Sequence, residues 1–235
     1  MKKRNIMAIV TVLLTLCPIL IGLLLWNKLP DRIPTHWGIN GRIDGWSSKK
    51  ATVFAMPFIM ACGQIIMLAA VYADPRKKNI HKKTMTVGLW IIPVLSLVLN
   101  SAVYAIALGM KISMTIIIVF VLAFLWIILG NYMPKLQQNY TIGIKVAWTL
   151  NSEENWNHTH RMAGKIFVAA GIVLLLEGTL LLTGIIGENV SYYLMIAVIL
   201  VSVIVPTGYS YLLFRKEFEN ICLLHVYLLC YSVKK

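Results

Sequence analysis

An all-α, polytopic membrane bundle of six helices is the fold class that this sequence predicts, and three observations predict it. Of the 235 residues, 59% are hydrophobic and only 13% are charged, with a mean hydropathy of +0.76. Apolar content near half is what a soluble domain accommodates. Second, the apolar residues come in uncharged runs of about 20 residues, enough helix to cross a hydrocarbon core of roughly 30 Å. Third, Lys and Arg sit in the short loops between those runs, so the net charge of +13 follows the positive-inside rule rather than a nucleic-acid-binding face. No direct contact with nucleic acid is expected.

The runs cover residues 6–26, 51–73, 84–110, 112–132, 166–186 and 190–214, the fifth interrupted only by Glu177. Lipid offers the backbone no hydrogen-bond partners, so the runs must be helices or a closed barrel. Their length and continuity exclude alternating barrel strands. Residues 1–217 read as a single membrane domain and 218–235 as a cytoplasmic tail. The basic start, Lys2-Lys3-Arg4, resembles a secretory leader. The run behind it is longer than a leader's apolar core and has no small-x-small cleavage site, which predicts a retained first span. Pro57, Pro93 and Pro206 lie inside runs and predict kinks.

Orientation follows from the loops. With the N-terminus inside, Lys2, Lys3, Arg4, Arg76, Lys77, Lys78, Lys82, Lys83, Lys135, Lys145, Arg161, Lys165, Arg215, Lys216, Lys234 and Lys235 all fall on the inner side. That is 16 of the 22 basic residues. Both termini are then cytoplasmic.

The first outer loop, 27–50, is rich in turn signals: Pro30, Pro34, Asn40-Gly41 and Asp44-Gly45. Trp37 and Trp46 lie among them, either as interfacial belt residues or as contact surface for a ligand arriving from outside. Arg32 and His36 would add polar contacts to that surface. His36 has no second ligand at a useful spacing. Cys17, Cys62, Cys222 and Cys230 show neither CxxC nor Cys/His spacing and read as buried apolar thiols. No metal site and no cofactor are indicated. Gln64 and Asn100 predict hydrogen bonds between helices. Glu177 is an acid at membrane depth, marking a polar cavity, a partner or a protonated interhelical hydrogen bond.

The polar segment 130–165 reads GNYMPKLQQNYTIGIKVAWTLNSEENWNHTHRMAGK. Residues 142–149 alternate apolar with small or polar, a period that predicts an extended stretch along the membrane face. Asn151, with Glu153 and Glu154 behind it, predicts a helix start near Ser152 that runs into the fifth span. On that helix Glu154, His158, Arg161 and Lys165 share one face; Trp156, His160 and Ala163 share another. His158 and His160 point apart, which argues against a metal pair. No HExxH, nucleophile elbow or phosphate-binding glycine loop occurs, so the chain does not read as an enzyme.

This segment resembles the signature of SdpI-type bacterial immunity proteins, G-N-Y-x-P…N-Y-x-I-G-I-R-T-P-W-T-L…E-x-W…T-H-R-x-x-G-K. The outer-loop sequence LPDRIPTHWGINGRIDGW is similar to the N-terminal module that often accompanies it. The resemblance covers most of the chain up to about Lys216. It implies a multi-pass protein of the bacterial cell membrane that protects against a secreted peptide toxin. In some members it also implies signalling, by holding a cytoplasmic transcriptional repressor at the membrane. Carried over by position, the partner-binding residues are Asn131, Tyr132, Pro134, Asn139, Tyr140, Gly143, Trp148, Thr149, Glu154, Trp156, Thr159, His160, Arg161 and Gly164. Where the pattern has R-T-P this chain has Lys145-Val146-Ala147, which loses the bidentate guanidinium fork and the rigid turn. The expected partners are therefore membrane lipid, a peptide toxin and a repressor. The competing reading is a small-solute or ion transporter, or a membrane enzyme, built on Glu177 and His160.

Overall fold

The computed structural model describes the backbone of residues 2–232 and the side chains of residues 6–217 and of Glu219. Cys222, Cys230 and the basic side chains at 2–4 and 234–235 lie outside the described residues. In order, the chain forms α1 (Lys2–Leu24), β1 (Arg32–Trp37), β2 (Ile43–Ser48), α2 (Met56–Ala73), α3 (Lys82–Ala107), α4 (Met114–Tyr132), a short α5 (Ala147–Asn151), α6 (Glu153–Leu182) and α7 (Glu188–Ser232). Among the described residues, six helical segments are long and apolar enough to span, Ile6–Leu24, Ala51–Ala73, Lys82–Ala107, Met114–Lys135, Glu153–Leu182 and Glu188–Glu217. The six-helix membrane bundle is present. Residues 218–232, expected as a separate tail, continue the backbone of α7.

The helices form two groups of three. In the first, α1, α2 and α3 meet around buried polar groups: Gln64 Nε2 donates to Thr11 Oγ1 (3.1 Å) and to the Leu89 carbonyl (3.0 Å), and Ser96 Oγ donates to the Thr15 carbonyl. Gln64 thus joins three helices, as its depth predicts. Asn100 does not join helices; its amide donates to the Ser96 carbonyl of its own helix, because Ser96 already makes the bond to α1. In the second group α6 lies between α4 and α7. Trp126 of α4 stacks on Phe167 of α6 with ring centres 5.7 Å apart and donates to Ser202 of α7.

The α4–α6 contact is close enough to require glycine. A Cβ on Gly171 would stand 2.6–2.7 Å from Ile127 Cγ1 and the Ala123 carbonyl oxygen. One on Gly164 would meet Pro134 at 2.7 Å, and one on Gly130 the Val168 nitrogen at 2.7 Å. Lipid tails are as apolar as any side chain, so close backbone approach rather than hydrophobic burial holds such helices together. The same physics corrects the cysteine expectation: Cys62 is exposed on the bundle surface and Cys17 only half-buried, since a thiol facing lipid forfeits little.

The first loop is an antiparallel hairpin, with Arg32 opposite Ser48 and Trp37 opposite Ile43. Its turn lies at Gly38–Arg42, where Gly41 has φ +71°. Asp44-Gly45, expected to be a turn, lies inside β2. A bulge places Gly45 against His36, where a Cβ would come within 2.7 Å of the His36 Cβ. Pro57 lies within the continuous helical segment Ala51–Ala73, directly after a π-helical turn at Ala51–Ala55, so its missing N–H falls beside a local departure from α-helical bonding. Pro93 and Pro206 lie within α3 and α7 as expected.

Candidate functional site

Residues 133–160 fold into one hydrogen-bonded unit over the ends of α2, α4 and α6. After Tyr132 a 3-10 turn, Met133–Lys135, reverses the chain. Trp156, fully buried, donates its indole N–H to the Leu136 carbonyl at 2.7 Å. Asn139, also buried, acts as the internal clip of the next turn. Its Oδ1 accepts from the N–H groups of Thr141 and Ile142, and its Nδ2 donates to the Gln137 and Ile142 carbonyls. The extended run expected at 142–149 is absent. Backbone hydrogen bonding is satisfied instead by side chains up to Val146, and Ala147 then opens the short α5. Thr149 holds that start, accepting from the Val146 N–H and donating to the Ile144 carbonyl.

His160 closes the unit. The Ile144 N–H donates to its Nε2 (2.9 Å), so the proton sits on Nδ1, 2.8 Å from the Trp156 carbonyl. That is the neutral tautomer with both nitrogens engaged. The ring stacks on Trp156 at 4.0 Å between centres. Gly143 makes this approach possible: its φ is +125°, and a Cβ there would lie 2.5 Å from His160 Nε2.

Asp74, at the end of α2, anchors the unit to the first three helices. Its carboxylate accepts from the Tyr140 N–H (2.9 Å), the Thr141 hydroxyl (2.7 Å) and the Arg76 N–H (2.7 Å). Arg76 donates to Gln138 and lies 4.9 Å over the Tyr140 ring, while Gln138 in turn donates to the Thr149 and Leu150 carbonyls. Nothing in the sequence pattern marked Asp74. A short acidic residue immediately after an apolar run, ahead of Arg76, was the available signal. Burial by itself would raise its pKa, but the hydrogen bonds from Thr141, Arg76 and Tyr140 outweigh that and hold it below the ordinary 3.8. A depressed carboxylate contributes stability above its unfolded pKa and loses it as pH falls through the folded value. Protection of the amides of residues 136–146, taken relative to their intrinsic exchange rates, is therefore expected to stay constant from pH 8 to pH 5 and to fall only below about pH 3.8. In Asp74→Asn it should be low throughout.

The structure sorts the sequence-predicted residues by exposure. Asn139, Thr149, Trp156, Thr159, His160 and Gly164 are buried and hold the unit together. Gly143, Tyr132 and Trp148 are half-buried, Trp148 donating to Ser210 of α7 at 2.7 Å. Asn131, Pro134, Tyr140, Glu154 and Arg161 are exposed. The two helix faces segregate as their spacing predicts: Trp156, His160 and Ala163 are buried, whereas Glu154, His158, Arg161 and Lys165 face outward. Glu153, Glu154, Asn157, His158 and Arg161 line a shallow depression of about 410 Å³. Ser152, not Asn151, caps α6, its hydroxyl accepting from the Asn155 N–H; Asn151 is used up as the last residue of α5.

At the opposite end of the bundle the hairpin docks on Glu188. Its Oε1 accepts from Ser113 at the start of α4 (2.7 Å), and Gly41 lies so close that a Cβ would collide with the carboxylate. One turn along α7, Ser191 donates to Glu177 Oε1 at 2.6 Å. Glu177 is thus an interhelical hydrogen-bond partner of α7. Arg32, His36 and Trp46 are exposed, with His36 paired to Asp44. Trp37 instead packs into the core of Leu29, Ile33, Val53 and Tyr104.

Three comparisons bear on this architecture. The model of the SdpI/YfhL protein family matches residues 135–210, and that of a domain of unknown function, DUF1648, matches residues 13–61. The immunity protein SdpI of Bacillus subtilis (strain 168) is 27% identical over 214 residues, covering 91% of this chain and 97% of that protein. No solved structure matches. The family match begins where the hydrogen-bonded unit begins and ends on α7 at Ser210, which the unit contacts through Trp148 and Asn155. Over residues 135–210 this chain is similar to the SdpI/YfhL protein family, with the DUF1648 match before them, and its apolar helices make it a multi-pass bacterial membrane protein.

Proposed function

We propose that this chain is a membrane immunity protein that protects its cell against a secreted peptide toxin without chemical turnover. The observation that carries the reading is similarity to an immunity protein along nearly the whole of both chains, joined to a geometry with two separate recognition ends. With the N-terminus inside, the hairpin faces outward and presents Arg32, His36 and Trp46 to the toxin. The unit of residues 133–160 faces the cytoplasm, and its exposed Tyr140, Glu154, His158 and Arg161 form the surface for a repressor. A relay between the ends needs two bundle states that the toxin binds unequally. The α4–α6–α7 group is the physical route, because it touches Glu188 at one end and carries the cytoplasmic unit at the other.

The competing reading, catalysis or transport through Glu177 and His160, loses its shared site. The two residues stand 17 positions apart on one unbroken helix, about 25 Å at 1.5 Å per residue. His160 also has no free ring nitrogen.

The test is survival of toxin-sensitive bacteria that express the chain, challenged with a panel of secreted peptide toxins. Wild type should protect. His36→Ala/Trp46→Ala at equal membrane abundance should lose most protection, because both side chains are exposed and their removal leaves the core intact. Arg161→Ala should keep protection and lose only repressor recruitment. Protection that survives the hairpin double variant sinks the assignment of toxin contact to the hairpin; wild type that protects against none of the panel counts against immunity itself.

A further inference from the structure

Where α3 of the first group meets α4 of the second, the bundle surface opens into a groove of about 710 Å³. Its walls are apolar along most of their length, with Val94 and Val98 from α3 and Phe124 from α4 all exposed. Polar atoms gather at one end only, on Thr86, Trp90 and Tyr132. That end is also basic. Lys135 Nζ lies 5.1 Å from the centre of the Tyr132 ring. Lys82 and Lys83, both exposed, stand one helical turn before Thr86 and Val87 and so on the same face. No Asp or Glu occurs anywhere between residues 75 and 152, so neither helix supplies an acid to neutralise them.

The dimensions choose among occupants. From Thr86 to Val98 the groove is about 18 Å long at 1.5 Å per residue. One leaflet is about half of the roughly 30 Å hydrocarbon core. The groove therefore matches a single acyl chain and is too short for a crossing peptide helix. We propose that it binds one anionic phospholipid from the leaflet on the side of the 133–160 unit. The acyl chain lies along Val94, Val98 and Phe124, and the headgroup phosphate is held by Lys82, Lys83 and Lys135. The bound lipid would fill the seam between the two helix groups.

The full chain in detergent, exchanged with equal amounts of phosphatidylglycerol and phosphatidylcholine, is to be examined by native mass spectrometry. Wild type should retain one phosphatidylglycerol in preference to phosphatidylcholine. Lys82→Glu/Lys83→Glu/Lys135→Glu should lower that retention on the order of a hundredfold, since each basic residue near an anionic surface contributes appreciably. Val94→Trp, which fills the groove, should abolish it. Leu176→Trp, on the exposed surface of α6, should change nothing. Equal retention of the two lipids, an adduct that persists in Val94→Trp, or equal loss in Leu176→Trp overturns the proposal. Wild type with a phosphatidylglycerol carrying a photoactivatable acyl chain gives a readout that needs no variant to fold. Label on α3 and α4 within the groove supports the site, and label confined to other faces overturns it.

Discussion

Gly171→Leu is expected to abolish stable assembly of α4 against α6, with little protein recovered from the membrane in a form that melts cooperatively. The added side chain would start 2.7 Å from the Ala123 carbonyl oxygen and 3.0 Å from the Ile127 nitrogen. Backbone atoms cannot rotate away, so the helices must separate. Overpacking of a well-packed contact costs about 1–3 kcal/mol and sometimes more, and here three further γ and δ carbons follow the first. Separation also pulls apart the Trp126–Phe167 stack and the Gly130–Gly164 contact on the same face. Gly178→Ala supplies the contrast. The three atoms nearest its Cβ would all belong to the Phe120 ring, at 3.1–3.3 Å, and a ring can turn. Thermal melting of both variants in one detergent checks the pair. A Gly171→Leu protein that melts like wild type would mean that α4 and α6 are not held by backbone approach.

Gly143→Ala is expected to free the loop ahead of α5 while leaving the spans in place. Two costs add. A non-glycine residue at φ +125° is strained by about 1–3 kcal/mol, and the new Cβ would lie 2.5 Å from His160 Nε2. That collision breaks the Ile144 N–H bond to the ring, leaving a buried nitrogen without its donor. Proteolysis should then cut within residues 137–146, with helix content by circular dichroism close to wild type. His160→Ala should loosen the same loop by removing the acceptor. In the double variant the clash is gone but the backbone strain remains, so the two effects should be less than additive. Full additivity would show that Gly143 and His160 do not act on each other.

How much was legible in the sequence differs sharply between spans and site. The spans were legible because lipid gives an unpaired backbone no alternative: long uncharged runs have to be helices. The division of α6 into a buried Trp156–His160–Ala163 face and an exposed Glu154–His158–Arg161–Lys165 face was legible from helical spacing. The turn chemistry was legible only in part. Asn40-Gly41 lies in the Gly38–Arg42 turn as expected, whereas Asp44-Gly45 lies in β2, where a bulge sets Gly45 opposite His36. The alternation at 142–149 was expected to be extended, but side chains of Asn139, Thr149 and His160 supply the partners that a neighbouring strand would have given.

By itself the sequence determined that this is a multi-pass membrane protein and which segment resembles the SdpI-type signature. Only the tertiary structure decided what those signature residues do. Half a dozen of them, Asn139 and His160 foremost, are buried fasteners, and a smaller set is exposed. It also brought Asp74 to Tyr140 and Gly41 to Glu188 and placed Glu177 about 25 Å from His160. The physical reason is that run length and spacing are local properties, written in one stretch of chain. Which buried polar group finds which donor depends on helices dozens of residues apart approaching through their glycines, and no single stretch records that.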